Sequence, residues 1–174
     1  MLFIIHSGQT GVERGAHDAA QMCGVGIAGF MPRDRRDELG PLPSNVAARL
    51  TWFSEKGQRP AIRANLTIAS AALLVVPDAA RAEQFPALGW VIQSVRASRL
   101  PLMVCDPSTS VADVSAWFAD TPRTCGSRRL AVIGPRATRW QQGEVIARRI
   151  VCALAAGQDR DVPIGRAKRV QVRL

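Results

Sequence analysis

Residues 6 to 20 read "HSGQTGVERGAHDAA" and gather most of the chemistry this chain offers in one place. Glycines stand at 8, 11 and 15, among Ser7, Gln9 and Thr10. The spacing does not fit the G-x-G-x-x-G dinucleotide fingerprint. Gly8 and Gly11 nevertheless permit positive φ and let the backbone come close to a bound group. The loop leads into a segment of helical period, 11 to 23, whose first amides lack partners within the helix. Free amides and the positive end of the helix dipole attract a phosphate. The same residues carry a second reading. Thr10-Gly11-Val12-Glu13 fits the T-x-x-E capping box, in which Thr10 and Glu13 satisfy the helix start themselves and Glu13 repels an anion. The two readings coexist if Ser7, Gly8 and Gln9 supply the amides.

Other reactive side chains are scattered. His6 and His17 flank the loop, and pairing with Ser7 or Cys105 would give a nucleophile and base, although no spacing demands it. Asp34, Asp37, Glu38, Asp78 and Asp106 fall in polar loops where a solvated carboxylate needs no special function. Trp140 follows an arginine-bearing loop and offers a face for a flat ring, whereas Trp52, Trp90 and Trp117 read as core or interface on helical segments. Cys23, Cys105, Cys125 and Cys152 lie far apart with no C-x-x-C pair. That argues against a zinc site and a dense disulfide framework, and no protein-ligated metal is expected. Three of the four lie in apolar runs, where a cysteine reads as a small buried hydrophobe.

The elements that must position these residues alternate. Short apolar runs at 2–6, 25–31, 72–77, 102–106 and 130–134 are not patterned in-and-out, as suits strands buried on both faces. Helical periods fill 11–23, 83–99, 110–120 and 139–156, and 43–70 reads as two helical pieces broken by "GQRP" at 57–60. The expectation is an α/β fold: a mostly parallel sheet of five strands, or slightly more, with helices on both faces. At 174 residues the chain suits one domain, placed at 1–156. Residues 157–174 read as a basic tail or an extra strand, "RVQVRL". No basic leader precedes "MLFII" and no apolar run spans a bilayer, so a cytoplasmic location without membrane contact is expected.

In an open parallel sheet, ligands bind beyond the carboxyl ends of the strands, where the loops converge. The loops expected there are "SGQTG", "PRDRRDELGPLP", "PDAAR", "DPSTS" and "GPRATRW", and three of them carry arginine: Arg33, Arg35, Arg36, Arg81, Arg136 and Arg139. Basic residues outnumber acidic ones 23 to 14, a formal charge of +9, nearly all of it arginine. A planar guanidinium matches phosphate geometry, so an anionic small molecule is the expected partner. Nucleic acid is not favoured, because no aromatic–basic interleaving or DNA-reading motif is present.

"SGQTGVERGAHDAA", "GFMPRDRRDELGPLP" and "GPRAT" together resemble the putative molybdenum carrier family. Its pattern is close to S-G-G-Q-T-G-x-D-R-A-A-x-D-A-A, then G-x-x-P-K-G-R-R-x-E-D-G, then G-P-R-x-S. The family lies in the Rossmann-like group with the DNA-processing protein DprA and the lysine-decarboxylase-like nucleotide hydrolases. Gly8, Gln9, Thr10, Gly11, Arg14 and Asp18 match the first motif, Pro32, Arg35, Arg36 and Gly40 the second, and Gly134, Pro135 and Arg136 the third. Arg63 and Asn65 resemble the family's helix before the third strand. The resemblance implies a Rossmann-like domain that binds molybdenum cofactor or a nucleotide phosphate through Ser7, Gly8, Gln9, Thr10, Gly11, Arg14, Arg33, Arg35, Arg36, Gly134, Pro135 and Arg136. It also implies a homo-oligomer, dimeric or larger. Ser7 stands for a family glycine, Glu13 for its aspartate, and Arg33-Asp34 for its Lys-Gly. The family's Gly-Gly-Thr turn after the third strand is missing from "PDAARAEQFPALGW", as is the P-G-G-x-G-T-x-x-E signature of the hydrolases. The leading expectation is therefore a carrier of a phosphorylated heterocycle, and the alternative is a nucleotide-cleaving or transferring enzyme with Glu13 or a loop carboxylate as base.

Overall fold

The structure, a computed structural model, describes residues 1–158; most of the stretch read as a tail lies outside them. Five strands build one sheet: β1 (Leu2–Ile5), β2 (Gly26–Ala28), β7 (Ala71–Val75), β8 (Leu102–Cys105) and β9 (Arg128–Ile133). Their order is β2-β1-β9-β7-β8 and every pairing is parallel. The last strand among the described residues, β9, therefore lies in the middle, with Ile4 opposite Leu130 and Leu73 opposite Val132.

Alternate side chains leave opposite faces of a strand, and both faces are covered. Ile4, Leu73, Val75, Leu130 and Val132 meet α1 (Val12–Met22), α5 (Val111–Ala119) and α6 (Gln142–Gln158). Ile5, Ala72, Leu74, Ala131 and Ile133 meet α3 (Gln58–Ile68) and α4 (Pro86–Ala97), the latter preceded by a 3-10 turn at Ala82–Gln84. "GQRP" begins α3 instead of breaking a helix, because a proline in the first turn gives up an amide that has no helical partner anyway.

The apolar run 25–31 is not one strand. It divides at Gly29 (φ +140), which rests on the backbone of His6. Asn65 from α3 clamps the next residue, accepting from Phe30 N at 2.6 Å and donating to Phe30 O at 3.1 Å. The chain then leaves the main sheet as β3 (Phe30–Met31), which pairs with β6 (Thr51–Trp52). Between them come a hairpin, β4 (Arg36–Asp37) with β5 (Gly40–Pro41), and a single helical turn, α2 (Ser44–Ala47). Trp52 is accordingly on an exposed strand and not on a helix. Met31, Leu42, Val46 and Leu50 form a small apolar cap, and the last three press on the Cα of Gly8.

The tightest helix pair is α1 with α6. Ala16, Ala19 and Ala20 present a shallow face, and a methyl on Gly15 would overlap the carbonyl of Glu144. Gly15→Ala gains about 1 kcal/mol in helix propensity but forces backbone apart, a cost of about 1–3 kcal/mol. A lower urea midpoint, not a higher one, is expected for Gly15→Ala.

Candidate anion-binding site

The chain runs from β1 outward to β2, crosses to β7 and β8, and returns to insert β9 beside β1. The carboxyl ends of β1 and β9 therefore adjoin where the winding changes direction, and their loops touch. Ala137 N donates to Thr10 Oγ1 at 3.1 Å, Val12 N to Pro135 O at 3.4 Å, and Arg136 Nε to Gln9 Oε1 at 2.7 Å. Gly11 has φ +75, and a Cβ there would lie 2.6 Å from Pro135 O and 2.7 Å from Ala137 N. What demands glycine at 11 is this loop-to-loop contact.

Glu13 settles the two readings of the helix start. No capping box forms: Gly11 is the N-cap of α1 and no side chain caps it. Glu13 instead folds back beneath its own loop, where Oε2 accepts from Ser7 N (2.8 Å), Ser7 Oγ (2.8 Å) and Gln9 N (3.2 Å). Gly8 N donates to His6 Nδ1 at 3.0 Å. The amides of Ser7, Gly8 and Gln9 are thus spent on internal partners. Burial raises the pKa of Glu13, against the lowering effect of its Ser7 and Gln9 donors.

Two histidines extend this network inward. With His6 Nδ1 accepting from Gly8, the hydrogen-bond pattern puts the proton on Nε2, which donates to His17 Nδ1 at 3.1 Å. His17 Nε2 then carries a hydrogen, and among the described residues it has no partner. Burial, then His17 and Arg14, holds His6 down at about 3, and burial lowers His17 as well. Both rings are neutral supports beneath the loop.

The hairpin brings the second motif to the same rim through its acids. Arg14 Nη2 joins Gly8 O (2.9 Å) to Asp37 Oδ2 (3.1 Å), the Thr10 hydroxyl donates to Glu38, and Glu38 Oε2 lies 3.9 Å from Arg136 Nε. Arg33, Arg35 and Arg36 are exposed, and Arg35 has φ +51 in the turn. The Arg36 carbonyl accepts from Gln58 Nε2 at 3.2 Å. Gln9, Arg136, Glu38 and Thr10 therefore form a chain of contacts and Arg14 is a strut, whereas Arg36 is tied by its carbonyl to Gln58 of α3 and not to Gln9 or Arg136. Arg81 and Arg139 are exposed side chains outside these contacts, and Trp140 packs partly on the core beside Gly143. Asp37 and Glu38, which sequence reasoning passed over as solvated, are the latches; the signal was an acidic pair inside an otherwise cationic loop. Hollows of about 340 Å³ (Phe30, Phe53, Pro60, Arg63) and 630 Å³ (Leu2, Phe3, Cys23, Cys152) are lined by none of these rim residues. Among the described residues no group of three His, Cys, Asp or Glu is placed to hold a metal, and no helix is long and apolar enough to cross a membrane.

An all-parallel five-stranded sheet, helices on both faces and loops meeting at the switch point define a Rossmann-like domain. Within that class the chain belongs to the circularly permutated YpsA SLOG family, which it matches over residues 4–155. Its fold is similar to the crystal structure of the Putative molybdenum carrier protein from Syntrophus aciditrophicus SB, with TM-score 0.74 and 18% identity over 87% of this chain and 93% of that one. No curated protein matches the chain in sequence.

The neutral His6 ties this site to pH. Its folded pKa of about 3 lies below the free value of 6.5, so the unfolded chain takes up the proton first and stability falls as pH drops between these limits. Glu13 acts in the opposite sense, since its raised pKa lets the folded state take up a proton first. Comparison with His6→Gln isolates the histidine: between pH 6 and 4, wild-type unfolding free energy should fall by about 1.4 kcal/mol per pH unit more than the variant's. Denaturant titrations at each pH give both slopes.

Proposed function

We propose that the protein binds a phosphorylated heterocyclic small molecule at this rim, with a phosphorylated pterin of the molybdenum-cofactor type as the leading candidate. One observation carries the reading. Arg136 is gripped through Nε alone, by Gln9 at 2.7 Å with Glu38 behind, and its side chain is 43% exposed. Its two terminal nitrogens have no partner among the described residues, which leaves the half of the guanidinium that binds a phosphate in two-pronged fashion. Arg33, Arg35 and Arg36 add exposed positive charge at and before the hairpin and draw an anion toward the junction. The likeness to a protein called a molybdenum carrier favours the pterin among phosphorylated heterocycles. A nucleotide-cleaving reaction would need a base, and Glu13 is buried and committed to three donors of its own loop.

Calorimetry and thermal-shift measurements against a phosphorylated pterin, nucleoside phosphates and their dephosphorylated forms test the reading. Phosphorylated compounds should raise the melting temperature and dephosphorylated ones should not. Arg136→Ala should weaken binding about 10- to 100-fold, the equivalent of one charge-assisted hydrogen bond at about 1.5–3 kcal/mol. Equal binding by Arg136→Ala, or no phosphorylated ligand at all, overturns it. Gly11→Asp is unsuitable as a probe, because its side chain would strike the Pro135–Ala137 backbone.

A further inference from the structure

We propose that Cys23 and Cys152 are a thiol–disulfide site: oxidation by a small disulfide of the glutathione type links them within one chain, reversibly. Sequence spacing hid the pair, since 129 residues separate the two cysteines. The fold brings them together because α1 and α6 lie side by side in the same direction. Gly15 stands against Glu144, and eight residues further along each helix Cys23 meets Cys152. The sulfurs are 3.3 Å apart, and both cysteines are free. A disulfide needs about 2.05 Å, so closure asks little more than 1 Å of sulfur movement. Cys23 is the C-cap of α1, where the side chain is exposed and the helix ladder ends, so a small rotation there is cheap.

Access is also provided. Both cysteines line the 630 Å³ hollow together with Met1, Leu2, Phe3 and Val25, at the amino-terminal edge of the sheet and away from Gln9 and Arg136. The two remaining cysteines provide contrast within the molecule: Cys105 is buried and held up at about 12, and Cys125 is exposed with no sulfur beside it. The chemistry balances as two exchanges. The Cys23 thiolate attacks a sulfur of oxidised glutathione and expels one glutathione thiolate. The Cys152 thiolate then attacks the Cys23 sulfur of the mixed disulfide and expels the second. The two cysteine sulfurs are oxidised, the glutathione disulfide is reduced, and the two thiol protons end on the departing thiols. Desolvation and the neighbouring Cys152 raise the Cys23 pKa, so closure quickens as pH rises.

The test equilibrates the full chain in glutathione buffers of graded redox ratio, blocks free thiols by alkylation, and maps linkages by mass spectrometry after digestion. The expected product is a single intrachain Cys23–Cys152 link and the loss of two of the four free thiols, both reversed by dithiothreitol. Cys125→Ser should change neither result; Cys23→Ser and Cys152→Ser should each abolish the link. The oxidised wild type should melt at a higher temperature than the reduced one, with no such shift in Cys152→Ser, because a cross-link over so long a loop restricts the unfolded chain. Separate glutathione adducts on Cys23 and Cys152 at every ratio, or links only between chains, overturn the proposal.

Discussion

A carboxylate turned back beneath its own loop is the constraint on which the site rests. Burying Glu13 costs desolvation, and three donors from Ser7 and Gln9 offset it. In return the loop has one shape. That shape aims Gln9 at Arg136, sets Thr10 between Glu38 and Ala137, and presents Gly8 to the apolar cap of Leu42, Val46 and Leu50. The Glu13 carboxyl fills the concavity beneath the loop, and the Arg136 guanidinium lies outside it at the rim.

Much of the fold was legible in the residues. Five apolar runs became strands within one or two residues at most ends, and the parallel sheet with two covered faces follows from their unbroken hydrophobicity. Residues 25–31 and 43–70 were harder, since tertiary contacts decided them. Asn65 seizes Phe30 and Gly29 lies on His6, contacts that no local period encodes. In the site, the meeting of Gln9 with Arg136 was readable from the rule that loops converge at strand carboxyl ends. The role of Glu13 was not, because T-x-x-E describes a cap formed with the preceding residues, whereas here the carboxylate reaches Ser7, six residues back. The cysteine pair was invisible for the same reason: parallel helix packing, not sequence proximity, creates it.

The charge balance takes on a local meaning once the contacts are known. Of the acidic residues, Asp37, Glu38 and Glu13 are placed where each fixes a cation or an amide, so the arginine excess is organised instead of merely abundant. Arg14 holds Gly8 O and Asp37 through one terminal nitrogen, with its side chain largely buried, and contributes rigidity. Arg136 is engaged on one edge only. The two guanidinium groups differ in exposure: the Arg14 side chain is largely buried between loop and hairpin, and the Arg136 side chain stands partly open to solvent.

The central position of β9 has a consequence for how the chain matures. β1 and α1 are made well before β9, which lies beside β1, and α6, which covers α1. Until α6 emerges, the α1 face that carries Ala16, Ala19 and Ala20 lacks its helix partner, and the nascent chain carries an uncovered apolar seam. Closing that seam therefore waits for the synthesis of α6, and the early segments must escape aggregation in the interval.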